Sequence, residues 1–137
     1  MEQIEEIRGK TRLYFTVDTL EYLAKGGRIG NAKAFMGTLL KVKPILTLQD
    51  GAIEPCEQVR SKPKALARMV AIAEEYVGSK GSQAKVAVLN ALVPTEAEAL
   101  GQELVERMGC APPLLGDLGP VIGTHTGPGV VGIALHL

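Results

Sequence analysis

The 137-residue chain contains no tryptophan and only three tyrosines and two phenylalanines. An apolar core must therefore be built mostly from aliphatic side chains, which the 46% of hydrophobic residues can supply. Because domains of this length bury roughly two-thirds of the surface of the unfolded chain, the composition predicts one globular domain with a substantial core.

The chain has no surplus of charge, since 15 lysines and arginines balance 15 aspartates and glutamates. A protein that makes many phosphate contacts normally carries excess basic residues, so the balance disfavours nucleic acid as a partner. No apolar run approaches the roughly 20 residues of a membrane span. The acidic start, MEQIEEIRGK, also differs from a signal peptide. These absences predict a soluble cytoplasmic protein.

Residues that hold metals or act as nucleophiles are scarce. Cys56 and Cys110 lie far apart without CxxC or Cys/His spacing, which predicts two reduced and partly buried thiols. The two histidines, His125 and His136, are too few and too poorly spaced to indicate a metal site. No serine lies in a G-x-S-x-G elbow. The sequence therefore predicts no catalytic residue, no metal and no cofactor.

Hydrophobic periodicity and turn residues predict the element order β-α-α-β-β-α-β-α-β-β. The first strand covers residues 12–17, and Asp18 is predicted to cap the helix that follows and ends at a Gly-Gly pair. Asn31 is predicted to cap a second helix that runs to about Leu40.

The middle of the chain carries the clearest turn signal. Asp50 and Gly51 stand between two apolar runs, which predicts a hairpin. Pro55 is expected at a sheet edge or an irregular position, and Ser61 is predicted to cap a long helix. The whole pattern predicts an α+β fold: a two-layer α/β sandwich with a mixed, largely antiparallel sheet and helices packed on it.

Arg28, in the stretch KGGRIG, is a candidate anion-binding residue. Two glycines before it permit tight backbone geometry, and a predicted helix begins just after it, so its guanidinium could act beside free backbone N–H groups. The alternative is a solvated arginine at a helix end, favoured there by the helix dipole.

His125, in the stretch GPVIGTHTGPG, is a second candidate. Its imidazole can donate hydrogen bonds, Thr124 and Thr126 can add hydroxyl donors, and the surrounding glycines allow close approach. The alternative is a histidine in a polar surface turn. Nearly a hundred residues separate His125 from Arg28, so periodicity alone cannot bring the two together.

Three blocks in order resemble the DegV family of bacterial fatty-acid-binding proteins. They are YFTVDTLEYLAKGGRIG, then LLKVKPILTLQDGAIEP with the following QVR, and finally GPVIGTHTGPGVVGIA. The resemblance runs from about Arg12 to Leu135. It covers only the C-terminal domain of the family. That implies that the N-terminal domain, with its own serine and threonine ligands, is missing and that the chain is a fragment or a naturally short protein.

The resemblance implies that a long-chain fatty acid is bound between the two domains and that the carrier presents its carboxylate to a separate fatty-acid kinase. It places Arg28 and His125 on the carboxylate side, and Thr124 and Thr126 beside them. The acyl chain is expected to run along an apolar group after the anion site and beside the histidine: Phe35, Met36, Leu39, Leu40 and Ile122. The alternative for the first four is simple packing on the sheet.

The chain departs from the family pattern at one position, since relatives often have a histidine near Asn90, where this chain has none. No function is assigned to that departure.

Two other functions are left open by the sequence. A small-molecule phosphotransferase component would need a nucleotide or metal site, which the sequence does not offer. A non-catalytic interaction module, one that forms a homo-oligomer or docks a partner, would expose an apolar face.

Overall fold

A computed structural model describes residues 2–38 and 43–137. Six strands form one sheet: β1 Thr11–Thr16, β2 Lys43–Gln49, β3 Ala52–Val59, β4 Lys85–Asn90, β5 Leu114–Asp117 and β6 Val131–His136. The α-helices of the described residues are α1 Glu2–Gly9, α2 Glu21–Lys25, α3 Lys62–Val77, α4 Pro94–Met108 and α5 Pro120–Thr126. Two 3₁₀ helices cover Gly30–Thr38 and Gly78–Gln83.

The strand order is β3-β2-β1-β6-β4-β5. Every pair is antiparallel except β4 with β5, which is parallel. The predicted fold class, a mixed and largely antiparallel sheet with helices packed on it, is therefore confirmed.

The two faces of the sheet belong to different apolar clusters because side chains alternate along each strand. On β6, Val131, Ile133 and Leu135 are buried in the cluster that includes residues of α3 and α4. On β1, Phe15 belongs to the second cluster, which includes Leu23 of α2. Helices α3 and α4 thus cover one face, while shorter segments cover part of the other.

The predicted hairpin is present between β2 and β3. Asp50 and Gly51 both have positive φ, 51° and 80°, as a two-residue type I′ turn requires. Pro55 lies on β3, which is an edge strand as predicted. The register shifts beside Pro55, and Cys56 is the extra residue of this bulge.

Of the N-cap residues predicted for α2 and α3, the structure confirms one. Ser61 caps α3 as predicted, because its Oγ accepts a hydrogen bond from the backbone N–H of Lys64 at 3.3 Å. The predicted cap at Asp18 is wrong, since α2 begins at Glu21 and the Asp18 carboxylate pairs with Lys62 at 3.3 Å.

The predicted helix after Asn31 is a 3₁₀ helix that begins at Gly30. The Asn31 amide does not cap it and donates instead to Glu54 Oε1 at 2.6 Å on β3. The predicted end at Leu40 lies outside the described residues. Three further helices were not predicted, namely α1, the second 3₁₀ helix and α5.

Both cysteines are free thiols. Cys110 is buried, whereas Cys56 is exposed, so the predicted burial is wrong for Cys56. Cys56 is the extra residue of the bulge on the edge strand β3, so no residue of β2 is paired with it.

A bidentate ion pair joins α3 to the edge strand β3. Arg68 Nε and Nη2 donate to the two carboxylate oxygens of Glu57 at 2.6 and 2.8 Å. This hydrogen bonding lowers the pKa of the Glu57 carboxyl below its ordinary value. A lowered folded-state pKa stabilises the fold above the unfolded pKa, and this contribution disappears as the pH falls through the folded value.

We expect Arg68→Met to lower the free energy of unfolding by less than about 1 kcal/mol near neutral pH, because about a third or more of each side chain is exposed. The difference from the wild type should shrink as the pH falls below the ordinary glutamate value of 4.5. Denaturant unfolding at several pH values measures it. A difference that stays constant from neutral to acid pH would contradict the assignment.

Candidate functional site

The largely uncovered face of the sheet carries a cavity of about 500 Å³. Its walls are mostly apolar side chains from the strands, from α2 and from the segment around α5: Leu13, Phe15, Leu23, Leu48, Ile53, Leu89, Leu118, Ile122 and Val130. Gly132 of β6 also lines the cavity. Gly132 has no side chain to occupy the space above this strand, and a Cβ there would lie 3.3 Å from the Phe15 Cβ.

Arg28 and His125 line this same cavity although they are far apart in the chain. Arg28 follows α2, and His125 lies in the last turn of α5. The fold therefore places a guanidinium and an imidazole at one apolar cavity, as the carboxylate-site prediction requires.

Two glycines bring α2 and α5 together. A Cβ on Gly26 would overlap the imidazole of His125, and a Cβ on Gly127 would overlap the ring of Tyr22. Each ring thus rests directly on the backbone of the other segment. Gly127 also has a φ of 80°, which side-chain-bearing residues rarely adopt. This close approach sets the position of His125 relative to the chain that leads to Arg28.

The Arg28 side chain is exposed, and within residues 2–38 and 43–137 it has no hydrogen-bond or ion-pair partner. Gly27 precedes it with a φ of 69°, which is the left-handed helix end that the sequence predicts. The Arg28 backbone N–H is not free, because it donates to Leu23 O at 2.9 Å. The guanidinium is therefore the group of this residue that can meet an anion.

His125 is half-buried in a helix, so the surface-turn alternative is wrong. Its Nδ1 is buried against Gly26 and has no hydrogen-bond partner among the described residues. Because Nδ1 is enclosed, Nε2 is the ring nitrogen left to interact with a ligand.

The two threonines beside His125 have different positions. Thr126 lines the cavity, whereas Thr124 lines a second cavity with Asn90 and Asp117. Thr124 Oγ donates to Pro120 O at 2.7 Å and Thr126 Oγ to Ile122 O at 3.0 Å. Both hydroxyl protons are thus used within α5, and the structure does not bring Thr124 to the cavity.

The residues predicted to contact the acyl chain are only partly at the cavity. Ile122 lines it. Phe35 is half-buried against the second apolar cluster, and Met36 is 44% exposed; neither lines the cavity, because their 3₁₀ helix packs on β3. Leu39 and Leu40 lie outside the described residues.

Most of the lining residues were missed at the sequence level. They sit on strands, such as Leu13 and Phe15 on β1, Leu48 on β2 and Leu89 on β4. Their spacing of two along β1 assigns Leu13 and Phe15 to one face. The sequence does not indicate which of the two faces is left uncovered by helices.

In the described part of the chain, no group of three His, Cys, Asp or Glu side chains is placed so that it could bind a metal ion. Within the same residues no helix combines the length and the apolar character needed to cross a membrane.

Comparison with known proteins gives a consistent result. A family model described as "Uncharacterised protein, DegV family" matches residues 1–136. A DegV domain-containing protein of Streptomyces coelicolor is 46% identical over 126 residues, which are 91% of this chain and 44% of that protein. Protein DegV of Bacillus subtilis is 39% identical over 133 residues, which are 97% of this chain and 47% of that protein. The chain thus spans about half the length of these relatives.

Solved structures agree in fold. A DegV family protein from Thermus thermophilus, described as binding fatty acid, superposes with a TM-score of 0.87 at 35% identity, over 98% of this chain and 48% of that one. The Bacillus subtilis DegV structure, described as a fatty acid binding protein, gives a TM-score of 0.84 at 38% identity, over 99% of this chain and 48% of that one. A stearic-acid-binding protein from Eubacterium ventriosum gives a TM-score of 0.85 at 26% identity, over 99% of this chain and 47% of that one.

The contact between Gly26 and His125 is directly testable. Gly26 has a φ of −81°, so its backbone accepts alanine, and the overlap with the imidazole is the main obstacle. We expect Gly26→Ala to destabilise the fold by about 1–3 kcal/mol, the usual cost of overpacking. The double variant Gly26→Ala/His125→Ala should recover most of this loss. Denaturant unfolding measures both.

Gly123→Ala is the matched control, because it lies on α5 and a Cβ there meets nothing within 4 Å. It should leave the free energy of unfolding equal to or above that of the wild type. Equal destabilisation by Gly26→Ala with and without His125 would show that the imidazole is not what the new methyl group meets.

Proposed function

Since the chain belongs to the DegV family, we propose that it is a fatty-acid-binding domain. The cavity on the sheet holds the acyl chain of a long-chain fatty acid, and its carboxylate lies at Arg28 and His125. The observation that carries this proposal is that these two side chains line one cavity whose other walls are mostly apolar. Solved relatives of the same fold are described as fatty-acid binding.

The cavity suits the acyl chain physically. Its volume of about 500 Å³ falls within the roughly 300–1,000 Å³ of typical ligand pockets. A chain of about fifteen methylenes gains on the order of 10 kcal/mol in gross transfer free energy at ~0.8 kcal/mol per CH₂. Ordering of the chain offsets part of this gain, and the remainder supports retention of a lipid.

The carboxylate end suits a guanidinium and an imidazole. Arg28 has no competing acceptor in the described residues, and Nε2 of His125 can add a second donor to the same anion. The Thr126 hydroxyl already donates its hydrogen bond to Ile122 O. Further hydroxyl donors to the carboxylate must therefore belong to other residues. In this proposal they come from an N-terminal domain of the kind that the longer relatives include.

The finer part of the proposal concerns what happens to the bound acid. The exposed Arg28 side chain would keep the carboxylate reachable from solvent while the acyl chain stays covered. Such a carrier does no chemistry itself and presents the carboxylate to a fatty-acid kinase in the cytoplasm, which adds the phosphate. Arg28, His125 and Thr126 are the residues that this role assigns to the carboxylate side.

The carboxylate site is tested by comparing dodecanoate with dodecan-1-ol, which differ in the head group. We expect Arg28→Ala to weaken the binding of dodecanoate about tenfold, since a hydrogen bond to a charged group contributes about 1.5–3 kcal/mol and exposure favours the lower end. Binding of dodecan-1-ol should change little. His125→Ala should act in the same direction, and isothermal titration measures both ligands.

Lys33→Ala is the matched control for charge, because Lys33 is an exposed cation that does not line the cavity. It should leave the ratio of the two affinities unchanged. If neither Arg28→Ala nor His125→Ala alters that ratio, the two residues do not hold the carboxylate.

The acyl site is tested with a tryptophan reporter, because the chain has no tryptophan of its own. Leu48 lines the cavity and is 45% exposed. We expect the emission of Leu48→Trp to shift to shorter wavelength on addition of dodecanoate, since the chain would displace water from the indole. Fluorescence titration measures the shift.

Leu114→Trp serves as the control reporter, because Leu114 is 78% exposed on β5 and does not line the cavity. Its emission should not change with dodecanoate. Equal shifts in the two variants, or no shift in Leu48→Trp despite measured binding, would place the acyl chain elsewhere.

A further inference from the structure

Lys62, in the first turn of α3, holds three oxygens from three different segments. Its Nζ lies 2.8 Å from Glu96 Oε2 and 3.3 Å from Asp18 Oδ1, and it donates to the backbone oxygen of Gly129 at 2.7 Å. Only 17% of the side chain is exposed. Lys62 does not line the cavity, so the proposed ligand site does not use it directly.

Two of these three oxygens belong to the segments that carry the proposed carboxylate ligands. Asp18 lies in the loop between β1 and α2, and α2 leads to Arg28. Gly129 lies in the loop between α5 and β6, just after the helix that carries His125. The Lys62 ammonium therefore connects the start of one segment to the end of the other.

The loop at Gly129 is fixed by further contacts. Its N–H donates to Ala91 O at 2.8 Å, and Ala91 N–H donates to Val130 O at 3.0 Å. A Cβ at Gly129 would overlap the Asp18 carboxylate, and its φ is 92°. Asp18 and Gly129 are thus in direct contact, and Lys62 holds both in that arrangement.

We propose that Lys62 is a positioning residue for the carboxylate site, an inference that rests on the proposed function. Its ammonium fixes the separation of the segments that carry Arg28 and His125. An uncharged side chain of similar length cannot replace it, because the Asp18 and Glu96 carboxylates would lose their shared counter-ion and Gly129 O would lose its donor. Since Lys62 is mostly buried, solvent screens these interactions only partly.

The experiment measures the ratio of dodecanoate to dodecan-1-ol affinity by titration in the whole chain. We expect Lys62→Met to reduce this ratio about tenfold, the loss of one well-placed charge-assisted contact, while dodecan-1-ol binding is retained. Lys62→Arg keeps a cation at this position and should recover part of the ratio. A purely structural role would lower both affinities together and leave the ratio unchanged.

Arg68→Met is the matched control, because it removes another ion-paired cation of α3 whose partner is Glu57 on β3. It should leave the ratio unchanged. If Lys62→Met fails to fold, Asp18→Asn tests the same link, because it keeps the lysine and its other contacts. We expect Asp18→Asn to lower the ratio of dodecanoate to dodecan-1-ol affinity about threefold.

The outcomes are distinguishable. A wild-type chain that binds dodecanoate no better than dodecan-1-ol overturns the proposed function and this inference with it. A wild-type preference that survives in Lys62→Met, or in Asp18→Asn when the first variant does not fold, overturns the positioning role alone. An equal loss of the ratio in Arg68→Met also overturns it.

Discussion

The contact between α2 and α5 is the constraint on which the candidate site depends. At Gly26 and at Gly127 the backbone of one segment meets an aromatic ring of the other, the imidazole of His125 and the ring of Tyr22. Neither position has room for a Cβ, so the two segments lie as close as backbone and ring permit. This approach holds His125 beside the chain that continues to Arg28, and it explains how residues so far apart in sequence line one cavity.

The cavity itself follows from unequal covering of the sheet. On one face α3 and α4 bury the larger side chains of β6, such as Ile133 and Leu135. On the other face β6 presents Gly132, and the covering segments are short. A long helix there would fill the space above the sheet. The absence of a side chain at Gly132 and the short elements above the sheet therefore produce an apolar hollow on this face.

The cations of the fold differ in whether a carboxylate is paired with them. Arg28 is left without a partner in the described residues, whereas Lys62, Arg68 and Arg107 are held by carboxylates elsewhere in the fold. Arg28 therefore has no carboxylate that a bound anion would have to displace, as its proposed role at the carboxylate site requires. Lys62, only 17% exposed, links the loops at Asp18 and Gly129 without lining the cavity.

The sequence by itself determined the features set by neighbouring residues. The Asp50-Gly51 turn, the Ser61 cap and the edge position of Pro55 follow from local backbone preferences, and the sheet class follows from the order of apolar runs. Arg28 and His125 were identified from local glycine patterns and a family resemblance. Only the tertiary structure decided which side chains would meet. Asp18 pairs with Lys62 instead of capping α2, the segment after Gly30 packs on β3 as a 3₁₀ helix, and the cavity is lined from strands. These outcomes depend on contacts between distant segments, whose free energies no local pattern of residues encodes.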